Sequence, residues 1–267
     1  MEPYITRAVE LAKREKLDQV EDTHLTLLHN LAFHTSDRKT IRDQLMSVLF
    51  AGSDTTASAM TWVIYELSRH PEVVTKLRHH IYEVLGTSDW NRRPTYDELK
   101  SMKFLQHVIN ETLRLYATMP FATRQAQKDT TLPRGGGPDG LSPIGVQKHT
   151  VVLYSALLMH RRRDLYPPLS ADYPWDARTW APDRWEVWQP KSWQLIPFSG
   201  GPRICIGQNF AVTELAYSIT RLVQMFDKFV DYNLDDAGFP KKNPVLKYGI
   251  VVTAAEGVKV GFVRKSE

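Results

Sequence analysis

Cys205, the one cysteine among 267 residues, stands in the run Phe198-Ser199-Gly200-Gly201-Pro202-Arg203-Ile204-Cys205-Ile206-Gly207. A lone cysteine is by default an inert, small buried hydrophobe. Here Gly200, Gly201 and Gly207 allow close backbone approach, so that amide N–H groups can point at the sulfur. A helical run from Gln208 to about Phe226 follows directly, and a helix N-terminus favours thiolate over thiol. A thiolate held that way is either a nucleophile or a metal ligand. A nucleophile needs a general base, yet His149 and His160 are the nearest histidines and no cysteine-protease setting surrounds them. Structural zinc needs about four ligands, and a second cysteine is absent. The nine histidines include no H-E-x-x-H. A single thiolate for a metal that brings its other ligands along leaves haem as the main candidate. Arg203 is then placed to pair with a carboxylate of that cofactor.

The second site of chemical interest is Asp54. Ile41 to Arg69 contains no proline and is stopped by His70-Pro71, so it is expected to form one helix of about 40 Å. From Val48 to Leu67 it is apolar nearly all round, and a helix apolar on every face is expected to be buried on every face. Asp54 and Glu66 are the only ionisable residues there. Asp54 is the anomaly, because an unpaired buried carboxylate costs several kcal/mol or neutralises. Its neighbours are Gly52, unfavourable in mid-helix by about 1 kcal/mol, and the hydroxyls of Thr55 and Thr56. Two readings are open. One is a solvent-lined crevice or a helix bent by its hydroxyls; the other is a widened groove carrying a proton-donating acid and alcohol beside a bound small molecule.

The surrounding elements are expected to be helical up to about residue 125. Pro71 and Gly86 frame an amphipathic helix with Val73, Val74, Leu77, Ile81 and Val84 inward. Thr95 and Glu98 form a capping-box pattern. Phe104 to Tyr116 carries Leu105, Val108, Ile109, Thr112, Leu113 and Tyr116 at helical spacing. Short alternating runs then flank the turn sequence GGGPDG, Trp175 to Trp193 reads as an ordered meander, and Pro244 to Val263 holds two β-like runs. Helices grouped first and small sheets later make the fold α+β, mostly α. Lys+Arg 34 against Asp+Glu 30 leaves a net charge of +4, spread out except at Arg161-Arg162-Arg163, so a nucleic-acid binder is not expected. The single cysteine excludes a disulfide-stapled scaffold, and no apolar run reaches the roughly 20 residues of a membrane span. The first residues, MEPYITRAVELAKREKLDQ, have no signal-peptide core.

Phe198, Gly201, Arg203, Cys205 and Gly207 meet the spacing F-x-x-G-x-R-x-C-x-G. Ala51-Gly52-Ser53-Asp54-Thr55-Thr56 meets A-G-x-D-T-T, Glu111 to Arg114 meets E-x-x-R, and Pro182-Asp183-Arg184-Trp185 meets P-x-R-[FW]. In kind, order and separation these four elements resemble the cytochrome P-450 family. The resemblance runs over essentially the whole chain and corresponds to the C-terminal, haem-binding half of a family member. It implies one partial domain over 1–267: an oxygen-binding helix (41–69), the E-x-x-R helix (104–116), a small β region (122–154), the meander (175–197), the cysteine loop (198–207), a final helix (208–226) and a β tail (244–263).

The same resemblance implies the roles of single residues. Cys205 would ligate the iron of haem b, with Gly201 and Gly207 shaping its loop and Phe198 packing beside the sulfur. Arg203 and Arg124 would bind the propionates. Gly52 would open the groove for dioxygen, Thr55 would hydrogen-bond the bound oxygen and Asp54 would relay protons. By period alone Glu111 and Arg114 lie off the apolar face, as an exposed pair worth about 0.2–0.5 kcal/mol; the resemblance instead makes them, with Arg184, a buried network tying helix to meander.

The activity implied is insertion of one atom of O2 into a C–H bond of a lipophilic substrate, with electrons from NADPH through NADPH–cytochrome P-450 reductase, a flavoprotein. RDQLMSVLFAGSDTTA, TLPRGGGPDGLSPI and PFSGGPRICIGQNFAVTE look most like fungal hydroxylases of n-alkanes and fatty acids. The alternatives are a family isomerase or dehydratase, against which the Asp54-Thr55 pair weighs, and a truncated, non-catalytic haem-binding product. The full-length parent is expected on the cytosolic face of the endoplasmic reticulum membrane, held by an anchor that this chain lacks. The chain alone is expected not to be a competent monooxygenase and to leave one side of the Val48–Leu67 helix in water.

Overall fold

The computed structural model describes residues 1–14, 25–235, 241 and 244–264, so 15–24 of the expected helical region lie outside the described residues. By its internal packing the chain divides into two compact units, Met1–Thr55 and Thr56–Glu267. Each unit has its own apolar cluster, and no residue belongs to both.

The first unit holds α1 (Glu2–Arg14), α2 (Leu27–His34) and the start of α3 (Arg38–Arg69). Ile5, Ala8 and Val9 form one stripe of α1 and cluster with Ala32 and Ile41. Thr26 opens α2 with a capping box: its hydroxyl accepts from the His29 amide at 3.4 Å, and its own amide donates to His29 Nδ1 at 3.3 Å. Asp37 takes the Lys39 amide at 3.0 Å and the Thr40 hydroxyl at 2.6 Å, and these bonds hold its carboxyl below the usual range.

Helix α3 starts three residues earlier than expected, and its burial departs from the all-round pattern. Val48, Leu49 and Phe50 are exposed, Phe50 by 67%, and exposure continues through Asp54. Burial starts at Thr56 and takes in Trp62, Val63 and Tyr65 to Ser68. An apolar sequence shows what can be buried; burial itself needs a packed element, and among the described residues turns 48–54 stay exposed.

The second unit packs the buried part of α3 with α4 (Pro71–Leu85), α5 (Tyr96–Ser101) and α6 (Lys103–Leu115). Pro71 opens α4, and Gly86 closes it at φ +67°, a left-handed position that glycine takes without penalty. The inward stripe of α4 ends on Leu85 and not on the expected Val84, which is exposed. Both lie one turn beyond Ile81, and Leu85 falls on the packed side. Thr95 and Glu98 make the expected capping box at α5, at 2.7 and 3.3 Å.

Four antiparallel pairs follow: β1 (Ala122–Gln125) with β4 (Val151–Tyr154), and β2 (Thr130–Gly136) with β3 (Ser142–Val146) nested between them. After α7 (Ala156–Met159), α8 (Arg184–Val187) and α9 (Gln208–Met225), β5 (Phe226–Asp231) pairs with the last strand, Val260–Arg264. Between these lie β6 (Leu246–Tyr248) and β7 (Val252–Ala254), which makes the last strand β8. Val252 is tied to the core at both backbone groups. Its carbonyl accepts from Ser58 Oγ at 2.5 Å and Trp62 Nε1 at 3.3 Å, and its amide donates to Thr118 O at 2.9 Å. The Trp62 ring stacks on Tyr116 with centroids 4.3 Å apart.

Glu111, Arg114 and Arg184 are fully buried. Glu111 accepts from Arg114 Nε and Nη2 (2.7 and 2.9 Å), Arg184 Nε (2.8 Å), the Ala181 amide (2.8 Å) and Trp185 Nε1 (3.1 Å). The remaining donors of the two arginines go to the carbonyls of His160, Asp176, Ala177 and Thr179 and to the hydroxyls of Tyr166 and Tyr173. Burial alone would weaken the hold of Arg114 on its proton; the charge of Glu111 reverses this and raises it above the ordinary arginine value.

His160 lies beneath this cluster, fully buried. Its Nε2 accepts from the Ile196 amide at 2.9 Å, so Nδ1, 3.2 Å from Arg114 O, carries the proton of a neutral ring. Burial, then the charges of Arg114 and Arg161, push its pKa down to about 4.

Two outcomes follow from this packing. Glu111→Ala or Arg114→Ala strands the opposite charge and is expected to cost about 3–5 kcal/mol, read as a shifted urea midpoint or failure to fold; a loss below about 1 kcal/mol would contradict it. His160 takes up its proton near pH 6.5 when unfolded but only near about 4 when folded. Its contribution is therefore complete above pH 6.5 and is lost as pH falls toward 4, by on the order of 3 kcal/mol. Urea midpoints across that window should show a shallower pH slope in His160→Gln.

Candidate functional site

The cysteine loop is a closed turn set at the start of α9. Ser199 takes φ +62° and Gly201 φ +67°, and residues Gly201–Arg203 form one 3-10 turn. The Cys205 amide donates back to Phe198 O at 2.9 Å, and the Ile204 amide to Gly201 O at 3.0 Å. The expected amide cradle for the sulfur is therefore not present: these N–H groups close the loop, and none donates to Sγ among the described residues. Beside Gly200 the space is filled by the ring of Trp193, 2.5 Å from where a Cβ would stand, so that glycine serves loop packing. A Cβ at Gly207 would meet Cys205 Sγ at 3.9 Å, an ordinary contact.

Cys205 is exposed, and so are the apolar side chains around it, Ile204, Ile206 and Phe210, with Ile206 wholly so. Phe198 is half-buried and packs on the main cluster. Arg124, on β1, is brought to this loop: its Nη2 donates to Ser199 Oγ at 3.3 Å, and its guanidinium lies 5.7 Å from the centre of the Tyr154 ring. Tyr154 OH and Ser199 Oγ lie 3.0 Å apart. Arg203 is exposed and makes no side-chain hydrogen bond or ion pair among the described residues. Ser199, Tyr154 and Trp193 were not singled out from the sequence. The one cue was the Ser-Gly-Gly turn, which does not say which strand it will meet.

Gly52, Asp54 and Thr55 belong to the first unit, on α3. The helix runs through Gly52 without interruption, and a Cβ there would touch nothing within 4 Å. Thr55 Oγ1 donates to Ala51 O at 2.6 Å, the bond of a hydroxyl back to its own helix. Asp54 is exposed, so it is not the buried carboxylate of this helix. That carboxylate is Glu66, which accepts from the Tyr116 hydroxyl and lies 3.4 Å from His70 Nδ1; burial raises its pKa. From the sequence Glu66 stands out only as the second ionisable residue of the stretch. The next hydroxyl, Thr56 Oγ1, is buried without a hydrogen-bond partner among the described residues.

The residues at the cysteine loop fit haem by their donor chemistry. They provide one thiol sulfur, exposed apolar residues that would meet a macrocycle, and two arginines, Arg124 and Arg203, without carboxylate partners among the described residues. No group of three or more His, Cys, Asp or Glu able to hold a bare ion occurs among the described residues. A metal bound here through one sulfur must bring its other ligands with it.

The chain is 44% identical over 261 residues to the cytochrome P-450 monooxygenase pvhE of Talaromyces variabilis, covering 97% of this chain and 47% of that one. It is 42% identical to cytochrome P-450 52A13 of Debaryomyces hansenii, covering 97% and 48%. It therefore spans about half the length of the curated relatives it matches. The crystal structure of a cytochrome P-450 superposes on 99% of this chain and 56% of its own, with a TM-score of 0.72 and 19% identity, which establishes the fold. The sequence model of the cytochrome P-450 family matches residues 4–250, and the chain belongs to that family.

Proposed function

We propose that this chain forms the haem-binding half of a haem-thiolate monooxygenase that inserts one atom of O2 into a C–H bond of an n-alkane or fatty acid. The observation that carries the reading is an exposed thiol whose chain neighbours Ile204, Ile206 and Phe210 are exposed apolar residues, with Arg124 and Arg203 uncompensated by acids among the described residues. When bound, haem supplies the one-electron and dioxygen chemistry that side chains lack. Cys205 ligates the iron as thiolate, and Phe198 with the apolar rim keeps water from the sulfur. Arg124 and Arg203 pair with the propionates, Arg124 being oriented by Ser199 and the Tyr154 ring. Gly201 and Gly207 leave room for close approach, and Gly52 leaves the side of α3 bare.

Asp54 and Thr55 act on protons. The exposed Asp54 carboxylate exchanges protons with solvent, and the neighbouring Thr55 hydroxyl, whose hydrogen is held by Ala51 O, accepts and passes one on. Electrons come from NADPH through a flavoprotein reductase. The parent protein sits on the cytosolic face of the endoplasmic reticulum membrane; no described helix of this chain is long and apolar enough to cross one.

A carbon monoxide difference spectrum of the haem-loaded protein tests the ligand, and turnover of a fatty acid with reductase tests the activity. Cys205→Ala is expected to abolish the thiolate-ligated band and haem retention. Because the side chain is exposed, the unliganded chain should keep its stability to within about 0.5 kcal/mol. Haem held with the same band in that variant would refute the assignment. In the full-length enzyme, Thr55→Ala should retain haem but divert NADPH to peroxide, and Asp54→Asn should slow turnover by roughly 10²-fold with an altered solvent isotope effect. Unchanged coupling and rate would leave Thr55 with its Ala51 hydrogen bond as its whole role.

A further inference from the structure

The Arg161-Arg162-Arg163 run takes no part in the function proposed above, and it has surroundings of its own. It follows α7, enters the 3-10 turn Arg163–Leu165, and with Leu158, Asp164 and Arg178 lines an open cavity of about 480 Å³. The four guanidiniums are unequally engaged. Arg162 forks onto Asp164, at 3.0 and 2.5 Å, and Arg163 Nε reaches Asp176 at 2.9 Å. Arg161 has no carboxylate partner among the described residues. Its Nε and Nη2 share the single Leu115 carbonyl, at 3.1 and 2.6 Å, and its guanidinium lies 6.0 Å from the centre of the Tyr116 ring, with Nη1 uncommitted. The Arg178 guanidinium makes no hydrogen bond or ion pair among the described residues; only its backbone N–H is engaged, by Asp176 Oδ1 at 2.9 Å.

Four cations against two carboxylates leave two positive charges facing one cavity. A half-buried cation without a counter-ion is unfavourable. Burial lowers the hold of Arg161 on its proton, and the charges of Arg114 and Arg178 add to that effect against a partial offset from Tyr116 and Tyr248. Planar guanidinium forks match the oxygens of a phosphate two at a time. A phosphate monoester carries about −1.5 to −2 charges near pH 7, which balances the surplus. The cavity exceeds what a bare phosphate fills, and the exposed Leu158 side chain gives it one apolar wall for an attached organic group.

We infer that this cavity is a binding site for a phosphate monoester, with Arg161 Nη1 and the Arg178 guanidinium as its principal donors. The ester is either a soluble metabolite or the headgroup of phosphatidic acid, and the two share the chemistry that is recognised. The site is independent of the haem assignment.

Inorganic phosphate titrated by calorimetry into the full-length, haem-loaded protein, at ionic strength fixed with sodium chloride, is expected to bind saturably. Arg178→Gln should weaken that binding at least 10-fold and leave the melting temperature without phosphate unchanged, and Arg178→Lys should lie between. Sedimentation with phosphatidylcholine vesicles, with and without phosphatidic acid, runs in parallel. Phosphate binding alone assigns a soluble ester; phosphatidate-dependent sedimentation that Arg178→Gln abolishes assigns the lipid headgroup. The proposal is overturned if phosphate does no more than chloride and the vesicles do not bind, or if Arg178→Gln alters neither.

Discussion

Two guanidiniums, a backbone amide and an indole N–H converge on the Glu111 carboxylate out of reach of water. A carboxylate taken from water loses a hydration shell worth many kcal/mol, and only a full set of donors replaces it. The two arginines carry more donors than one carboxylate can accept, and the remainder must find oxygen. They find it on the carbonyls of His160, Asp176, Ala177 and Thr179. The segment that supplies most of these oxygens has little regular structure, so its path is set by the need of the arginines for acceptors. That path leads directly into the cysteine loop. The position of Cys205 thus depends on a charge cluster that never touches it.

How much of this could be read from residues alone depended on the range of the interaction. Helix ends were legible because a cap is settled within four residues, as at Thr95 and Glu98 or at Gly86. The cysteine loop was legible because its residue types are contiguous. Burial of Glu111 was not, since periodicity placed it off the apolar face of α6, and its partners stand some 70 residues away at Ala181 and Arg184. Only the combination of spaced motifs, read through the family resemblance, pointed inward.

The long helix shows the opposite failure. Its composition implies burial from Val48 to Leu67, with one side left in water in this chain alone, and makes Asp54 the acid out of place. In the structure Asp54 stands in water, while Glu66 is enclosed and bonded to Tyr116. Hydrophobicity read along a strand of text has no information about which turns receive a neighbour. The sulfur was misjudged in a related way: glycines permit an amide to approach, but the amides of Ile204 and Cys205 had nearer carbonyls to satisfy.

The Val252 carbonyl receives hydrogen bonds from Ser58 and Trp62, which precede it by 194 and 190 residues. Ribosomes add about 5–20 residues each second, so Trp62 is made roughly 10–40 s before the group that will accept its indole hydrogen. Through that interval the most apolar turns of α3 have left the exit tunnel with their final partner unwritten. A protein so arranged closes this part of its core only once Val252 has emerged, and its exposure to chaperones until then is set by the order of its own message.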